Sequence, residues 1–182
     1  MQRFAALLWH EAGATQPGWL DRMTHAQSRG GMYQFQHWHA GPVALAQGER
    51  APGLLSPAHR GPLSLVLDGN LYNRQALAQQ LQRQLTPDTP DTDLMLAAYE
   101  RWGDDCLTRL VGEFAFVLWD GHRRRLLLAR DAIGTRHLYY QAGPGWLAVA
   151  TDLRALVALP VPKAFNEGRL LDALVQLNDR DN

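Results

Sequence analysis

Apolar positions in this chain gather in short runs of two kinds, and the spacing within each run predicts the element it forms. Phe4 to Trp9 is β-prone and lacks helical periodicity, so it predicts a strand that begins almost at the N-terminus. Trp19 to Gln27 predicts a helix ended by Arg29-Gly30-Gly31. Tyr33 to Trp38 and Val43 to Gln47 predict two strands around Ala40-Gly41-Pro42, and the Pro- and Gly-bearing stretch Glu49 to Gly61 reads as a loop. Leu63 to Leu67 has the pattern of a buried strand that stops at the turn dipeptide Asp68-Gly69. Asn73 stands where it can cap a helix over Arg74 to Gln84, with Leu77, Leu81 and Leu85 on one face.

After the break at Thr86 to Pro90, Asp91-Thr92-Asp93 offers an N-cap and first-turn acidity for a helix through Trp102, ended by Gly103. A short helical turn carries Leu107 and Leu110. Glu113 to Asp120 and Arg125 to Arg130 then predict a hairpin, with Phe114, Phe116 and Leu118 on one face. Leu138 to Gln141 and Trp146 to Ala150 predict a second hairpin around Gly143-Pro144-Gly145. Helices are expected at Leu153 to Leu159 and, beyond Pro160 and Pro162, at Glu167 to Leu177. Strands that pair as hairpins, with helices clustered between them, predict an α+β fold with antiparallel sheets.

Composition narrows the function. The 182 residues carry 18 basic and 18 acidic side chains, so the formal charge is zero and no basic block favours a nucleic-acid partner. No apolar run approaches the roughly 18 residues of a membrane span, and Met1 to Trp9, closed by Glu11, is too short for a signal peptide. A cytoplasmic chain is the expectation. A single cysteine, Cys106, excludes a disulfide framework and a thiolate metal cage. Lys163 is the only lysine among the basic residues, and the arginines are scattered.

Two stretches are more specific than patterning. One is Leu67-Asp68-Gly69-Asn70-Leu71-Tyr72-Asn73-Arg74; the other links Asp91 to Gly103, Gly112 to Asp120 and Leu128-Ala129-Arg130-Asp131-Ala132-Ile133-Gly134-Thr135-Arg136-His137-Leu138-Tyr139-Tyr140. Their order and spacing, with Ala148, Thr151, Leu153, Ala155 and Leu156 near the end, resemble the N-terminal glutaminase domain of the class B asparagine synthetase family over about Gln2 to Leu159. The resemblance implies a four-layer αββα sandwich of two antiparallel sheets, the N-terminal-nucleophile hydrolase fold. It implies a glutaminase-like domain over residues 1–160, and over 161–182 a linker and first helix leading to an ATP-dependent synthetase domain.

Active members of that family hydrolyse glutamine at a cysteine directly after the initiator methionine, whose α-amino group serves as base. Here that position is Gln2, and no Ser, Thr or Cys precedes Thr15. Losing such a nucleophile typically lowers turnover about a million-fold. Where the family reads Asn-Gly-Glu-Ile-Tyr-Asn, this chain reads Asp68-Gly69-Asn70-Leu71-Tyr72-Asn73. The family's first asparagine donates to an oxyanion; an ionised Asp68 accepts only and repels that charge. The glutamate that helps hold the substrate amine is here Asn70, and the Arg-Arg-Leu clamp for the substrate carboxylate corresponds to Val43-Ala44-Leu45. Asp91 alone matches the glutamine-binding set, with a helix cap as its equally weighted structural role. Asp68, Gly69, Asn70 and Asp91 thus form an expected vestigial pocket, with no catalytic residue and no metal site.

Other chemistry-bearing residues have plainer readings. Cys106 reads as a buried structural thiol. His37 and His39 share a strand face without a third ligand. Asp104-Asp105 is a polar helix end, Arg123-Arg124-Arg125 a solvated hairpin tip, and Arg130-Asp131 a structural ion pair.

The family's synthetase domain activates a carboxylate with ATP and magnesium through a Ser-Gly-Gly-x-Asp-Ser loop. Ser28-Arg29-Gly30-Gly31 lacks the strand before and the Asp-Ser after, so none of that chemistry is expected in these residues, and the chain reads as a piece of a longer protein. β-Lactam synthetases and lasso-peptide cyclases resemble asparagine synthetase in both domains but lack the N-terminal cysteine, because the substrate supplies its own amine. The leading expectation is an inactive glutaminase-like scaffold for an ATP-dependent amide-forming domain of the same protein, with a peptide or amino-acid-derived substrate possible. A scaffold should expose an apolar patch larger than a few hundred Å². The alternatives are a glutaminase with residual activity and a non-catalytic amino-acid-binding module.

Overall fold

The computed structural model describes residues 2–10, 16, 18–28, 30–50 and 57–162. The expected helix at Glu167 to Leu177, and the boundary it marks, lie outside the described residues. One sheet has the order β2-β3-β1-β9-β8, from β1 (Gln2–Trp9), β2 (Gln34–Ala40), β3 (Val43–Glu49), β8 (Tyr139–Gly143) and β9 (Trp146–Ala150). The other has the order β4-β5-β6-β7, from β4 (Ala58–Arg60), β5 (Leu63–Leu71), β6 (Gly112–Asp120) and β7 (Arg125–Arg130). Every ladder is antiparallel.

Period-two alternation builds the layers. Ala5, Leu7 and Trp9 of β1, with Ala44 and Ala46 of β3, face helices α1 (Trp19–Ser28) and α4 (Leu153–Val157), where Trp19, Leu20, Met23, Ala155 and Leu156 complete one core. Leu65, Leu67, Phe114, Phe116 and Leu118 face α2 (Arg74–Gln80) and α3 (Asp91–Trp102), meeting Leu77, Leu94, Met95 and Ala98. The opposite faces of the two sheets meet each other through Phe4, Ala6, Val43, Leu45, Val66, Ala115, Val117 and Val149. Three apolar layers therefore separate four layers of elements, the expected αββα sandwich. Each fully buried Leu or Phe adds roughly 1.5–3 kcal/mol of hydrophobic stabilisation, so the three interfaces carry the fold.

Several local expectations change in the structure. Asp68-Gly69 is no turn: β5 runs on to Leu71, with Asp68 paired to Ala115 and Gly69 to Phe114. The ladder to β6 overrides the local signal, and glycine is what permits it. Gly69 has φ +133°, and a Cβ there would stand 1.9 Å from the Glu113 carbonyl oxygen. The loop at Glu49 to Gly61 contains the short edge strand β4, whose His59 ring nitrogen lies 2.9 Å from the Ser64 hydroxyl. Asn73 precedes α2 but does not cap it; its side chain instead donates to the Arg109 carbonyl and accepts from the Val111 amide, tying α2 to the chain entering β6. The helix also ends at Gln80, short of the expected Gln84. At α3 the N-cap position belongs to Pro90, with Asp91 as the first helical residue.

Candidate functional site

The inward positions of the sheet-sheet layer change character at one end. Along β1 they run Leu8, Ala6, Phe4, then Gln2; along β3, Val43, Leu45, then Gln47 and Glu49; along β5, Val66, then Asp68. The register fixes this end, because Gln2 pairs with Glu49 across the β1–β3 ladder. Polar groups placed there must find partners or keep an opening to water. Gln47 finds them: its amide donates to the carbonyls of Leu67 and Arg3, and its Oε1 accepts from the Leu67 amide at 2.9 Å. That buried side chain staples the two sheets just behind the opening.

The opening is a cavity of about 390 Å³ lined by Gln2, Arg3, Asp68, Thr135, Arg136 and Asp152, with His137, Tyr139, Thr151 and Leu153 completing it. Gln2 and Asp68 meet there with Gly69, whose amide donates to Gln2 Oε1 at 3.4 Å. Asp68 is 7% exposed and its Oδ1 has no hydrogen-bond partner among the described residues. Burial pushes its carboxyl above the ordinary aspartate value, while the Arg136 guanidinium, the N-terminal ammonium, the Gln2 backbone amide and Arg3 pull the other way.

Asn70 and Asp91 lie apart from this cavity. Asn70 is exposed, one residue beyond Gly69. Asp91 accepts from the Leu71 amide at 2.7 Å and sits 3.1 Å from Arg74 Nε in a contact whose angles do not make a hydrogen bond, so it fastens the start of α3 to the end of β5. The clamp position expected at Val43-Ala44-Leu45 is corrected by the ladder. Those residues are buried opposite Leu8, Leu7 and Ala6, at the far end of β3 from Gln2. The β3 residue beside Gln2 is Glu49, an acid, and its Oε2 is buried without a partner.

The cations at the cavity come from elsewhere. Arg3 donates to the Gln27 carbonyl and pairs with Asp152, and its guanidinium lies 4.4 Å from the centre of the Tyr33 ring. Asp152 also pairs with Arg154, and these hydrogen bonds hold its carboxyl down to about 2. Arg136 donates to Glu113 at 3.3 Å. It is placed by Asp131, whose carboxylate accepts from the amides of Phe114, Gly134, Thr135 and Arg136 and from the Thr135 hydroxyl. Asp131 therefore holds a turn and has no salt bridge to Arg130, contrary to the expected ion pair. Arg130 instead lays its guanidinium against Gly134. The stretch Gly134 to His137 was visible in the sequence as a motif, but its position over Asp68 required two sheets to close on each other.

The remaining residues fall where packing puts them. Cys106 is 2% exposed, and burial pushes its thiol up to about 11. It is a protonated core residue outside the cavity. His37 faces Asp21 at 3.3 Å, and burial lowers the pKa of its ring. Among the described residues, no three potential metal ligands converge. Arg123 pairs with Asp120, and Arg125 with Asp104, which neutralises part of the hairpin tip. No described helix is long and apolar enough to cross a membrane.

Comparison with known proteins places this architecture. The profile of a family described as a glutamine amidotransferase domain matches residues 9–180. Amidase chry2 of Gibberella zeae is 33% identical over 146 residues, covering 76% of this chain and 22% of that protein. Glutamine-hydrolyzing asparagine synthetase 3 of Bacillus subtilis is 29% identical over 157 residues, covering 80% of this chain and 25% of its own length. Asparagine synthetase B of Escherichia coli is 36% identical over 105 residues, 57% of this chain and 19% of that protein. The chain thus spans a quarter or less of the length of these curated relatives. Among solved structures, a glutamine phosphoribosylpyrophosphate amidotransferase from B. subtilis superposes with a TM-score of 0.64 at 20% identity, over 86% of this chain and 43% of that one. That likeness establishes the N-terminal-nucleophile hydrolase fold.

Proposed function

The chain belongs to the glutamine amidotransferase domain family, and from that premise we propose that it is a glutaminase-like domain without hydrolytic activity, serving as scaffold to an ATP-dependent amide-forming domain. The observation that carries the proposal is the state of the cavity at Gln2. A carboxamide stands where the family resemblance calls for a nucleophile, and its oxygen accepts the Gly69 N–H. A carboxamide oxygen neither attacks a carbonyl nor takes part in acyl transfer at neutral pH. The Gly69 donor, which points to the position an oxyanion would need, is occupied by the chain's own side chain. Asp68 adds an acidic group to the same cavity, opposing a developing negative charge.

The scaffold half of the proposal draws on the surface. Among the described residues β7 and β8 each form one edge of their sheet, and a groove of about 530 Å³ between them is lined by Leu128, Ala129, Arg130, Leu138, Tyr140 and Leu147. Tyr140 is 70% exposed, and Ile133, in the turn that follows β7, is 90% exposed. Open edges beside exposed apolar side chains suit a covering partner, and the greater length of the curated relatives supports a partner domain in the same protein. A lasso-peptide cyclase or β-lactam-synthetase-like parent fits a pocket with no need to release ammonia. ATP and magnesium belong, in this reading, to the partner domain.

The deciding experiment measures ammonia release from glutamine by the purified chain, with and without the full-length parent. The expected result is a rate equal to the buffer blank. Release above the blank that disappears on Gln2→Ala substitution would restore a working glutaminase and overturn the proposal.

A further inference from the structure

We propose that the four-stranded sheet is completed by a fifth strand, paired with the outer edge of β7 and supplied by the part of the parent protein beyond these 182 residues. The inference rests on the partner-domain half of the scaffold reading and is indifferent to whether the chain hydrolyses glutamine.

The two sheets are unequal, with five strands against four. At one side of the sandwich they end together. Trp38 of β2 lies on His59 of β4, with ring centres 4.7 Å apart, and the short β4 ends in a charged residue, Arg60. β5 then packs across β3 and β1, so the smaller sheet runs out at β7 while the larger one continues to β8. No strand lies opposite β8 among the described residues. Tyr139 turns to the helix layer, which leaves Tyr140 at the inward position beside Leu138, yet Tyr140 is 70% exposed. Leu138, Tyr140 and Leu147 thus line the groove of about 530 Å³ next to Leu128 of β7, where a fifth strand would cover them.

β7 itself lacks the usual protection. Edge strands are ordinarily short, charged or covered, but the centre of β7 is Leu126-Leu127-Leu128-Ala129, all half-buried, where β5 and β6 are almost wholly buried. The register identifies the groups that a new strand would meet. Asp131 donates its amide to the Phe114 carbonyl, so by alternation Ala129 and Leu127 also turn their N–H and C=O groups to β6. Leu126, Leu128 and Arg130 turn theirs outward. The side chains set the composition of the strand: apolar residues at alternate positions to cover Leu138, Tyr140 and Leu147, and an acid opposite Arg130. Arg130 is exposed at the groove and has no carboxylate partner among the described residues. Curated relatives at least four times as long as the matched region leave ample chain to supply such a strand.

Residue-resolved hydrogen exchange on this chain and on its full-length parent tests the proposal. In the isolated chain the Leu126, Leu128 and Arg130 amides should exchange freely. In the parent they should slow by about a hundredfold or more, while Leu127 and Ala129, bonded to β6 in both, change less. That alternation separates a paired strand from a helix or loop laid over the groove. Arg130→Glu in the parent should weaken the protection by about tenfold, and the wild-type comparison decides if that variant fails to fold. Equal exchange in chain and parent, uniform slowing of all five residues, protection of the isolated chain that rises with its concentration, or protection indifferent to Arg130→Glu would overturn the proposal. Ammonia release from glutamine is read separately, so failure here and failure of the inactivity reading are distinguishable.

Discussion

Asp68 and Asp131 are each 7% exposed and flank the same strand, β6, yet they sit in opposite electrostatic conditions. Asp131 accepts from four backbone amides and one hydroxyl, and its carboxyl is held far below the ordinary aspartate value. Asp68 has an oxygen with no partner, and burial raises its pKa. Equal burial therefore does not set a carboxylate's energy; the donors around it do. At Asp131 the chain supplies those donors itself by turning through Gly134 and Thr135. At Asp68 the extended strand keeps its amides in the ladder and offers nothing further to the side chain. One acid builds the wall of the cavity, and the other is what the cavity contains.

Substitution at the two walls should give the largest effects. Asp131→Ala removes the acceptor for five donors, several of them buried, and is expected to destabilise the chain by at least about 3 kcal/mol in urea unfolding. A loss below about 1 kcal/mol would mean that the turn holds without its carboxylate. Gly69→Ala forces a Cβ onto the Glu113 carbonyl and should lower stability by about 3 kcal/mol or more, measured by the same method. A tolerated alanine would show that β5 and β6 can part at the site.

The pH dependence separates the two acids by sign. Asp131 and Asp152 have depressed pKa values when folded, so the stability they contribute is present above the unfolded value near 4 and is lost as the pH falls through their folded values. Asp68 is raised, so its relative contribution is best below the unfolded value and is lost as the pH rises through the folded one. Asp68→Asn should accordingly stabilise the chain by about 1 kcal/mol at neutral pH, and this gain should vanish below about pH 4. Unfolding midpoints of the variant and the wild type across pH check both statements. A variant less stable than the wild type at neutral pH would refute the frustrated-acid description. Glu113→Gln should change stability by no more than about 0.5 kcal/mol, because its pair with Arg136 is partly solvated.

Much of this was legible in the residues before any coordinates. Period-two runs gave both hairpins, and Phe114, Phe116 and Leu118 share the face they were expected to share. The αββα architecture followed from the family resemblance and agrees with the three apolar layers. The failures share one cause. Asp68-Gly69 as a turn, Asn73 and Asp91 as caps, and Arg130-Asp131 as a pair are all local readings of groups whose partners lie far along the chain. Gln47, which joins Leu67 across the sheets, carries no local signal at all.

The sequence by itself determined the alternation of apolar faces, the family, and the identity of the residue at position 2. Those properties depend on side-chain type and on spacing within a few residues. Only the tertiary structure decided which acid was satisfied and which was not, that Glu49 rather than Val43 stands beside Gln2, and that Arg136 overlooks Asp68. Each of these depends on ladder register and on the closing of one sheet over another. A hydrogen bond is decided within a few tenths of an ångström between residues tens of positions apart, and no pattern along the chain encodes that distance.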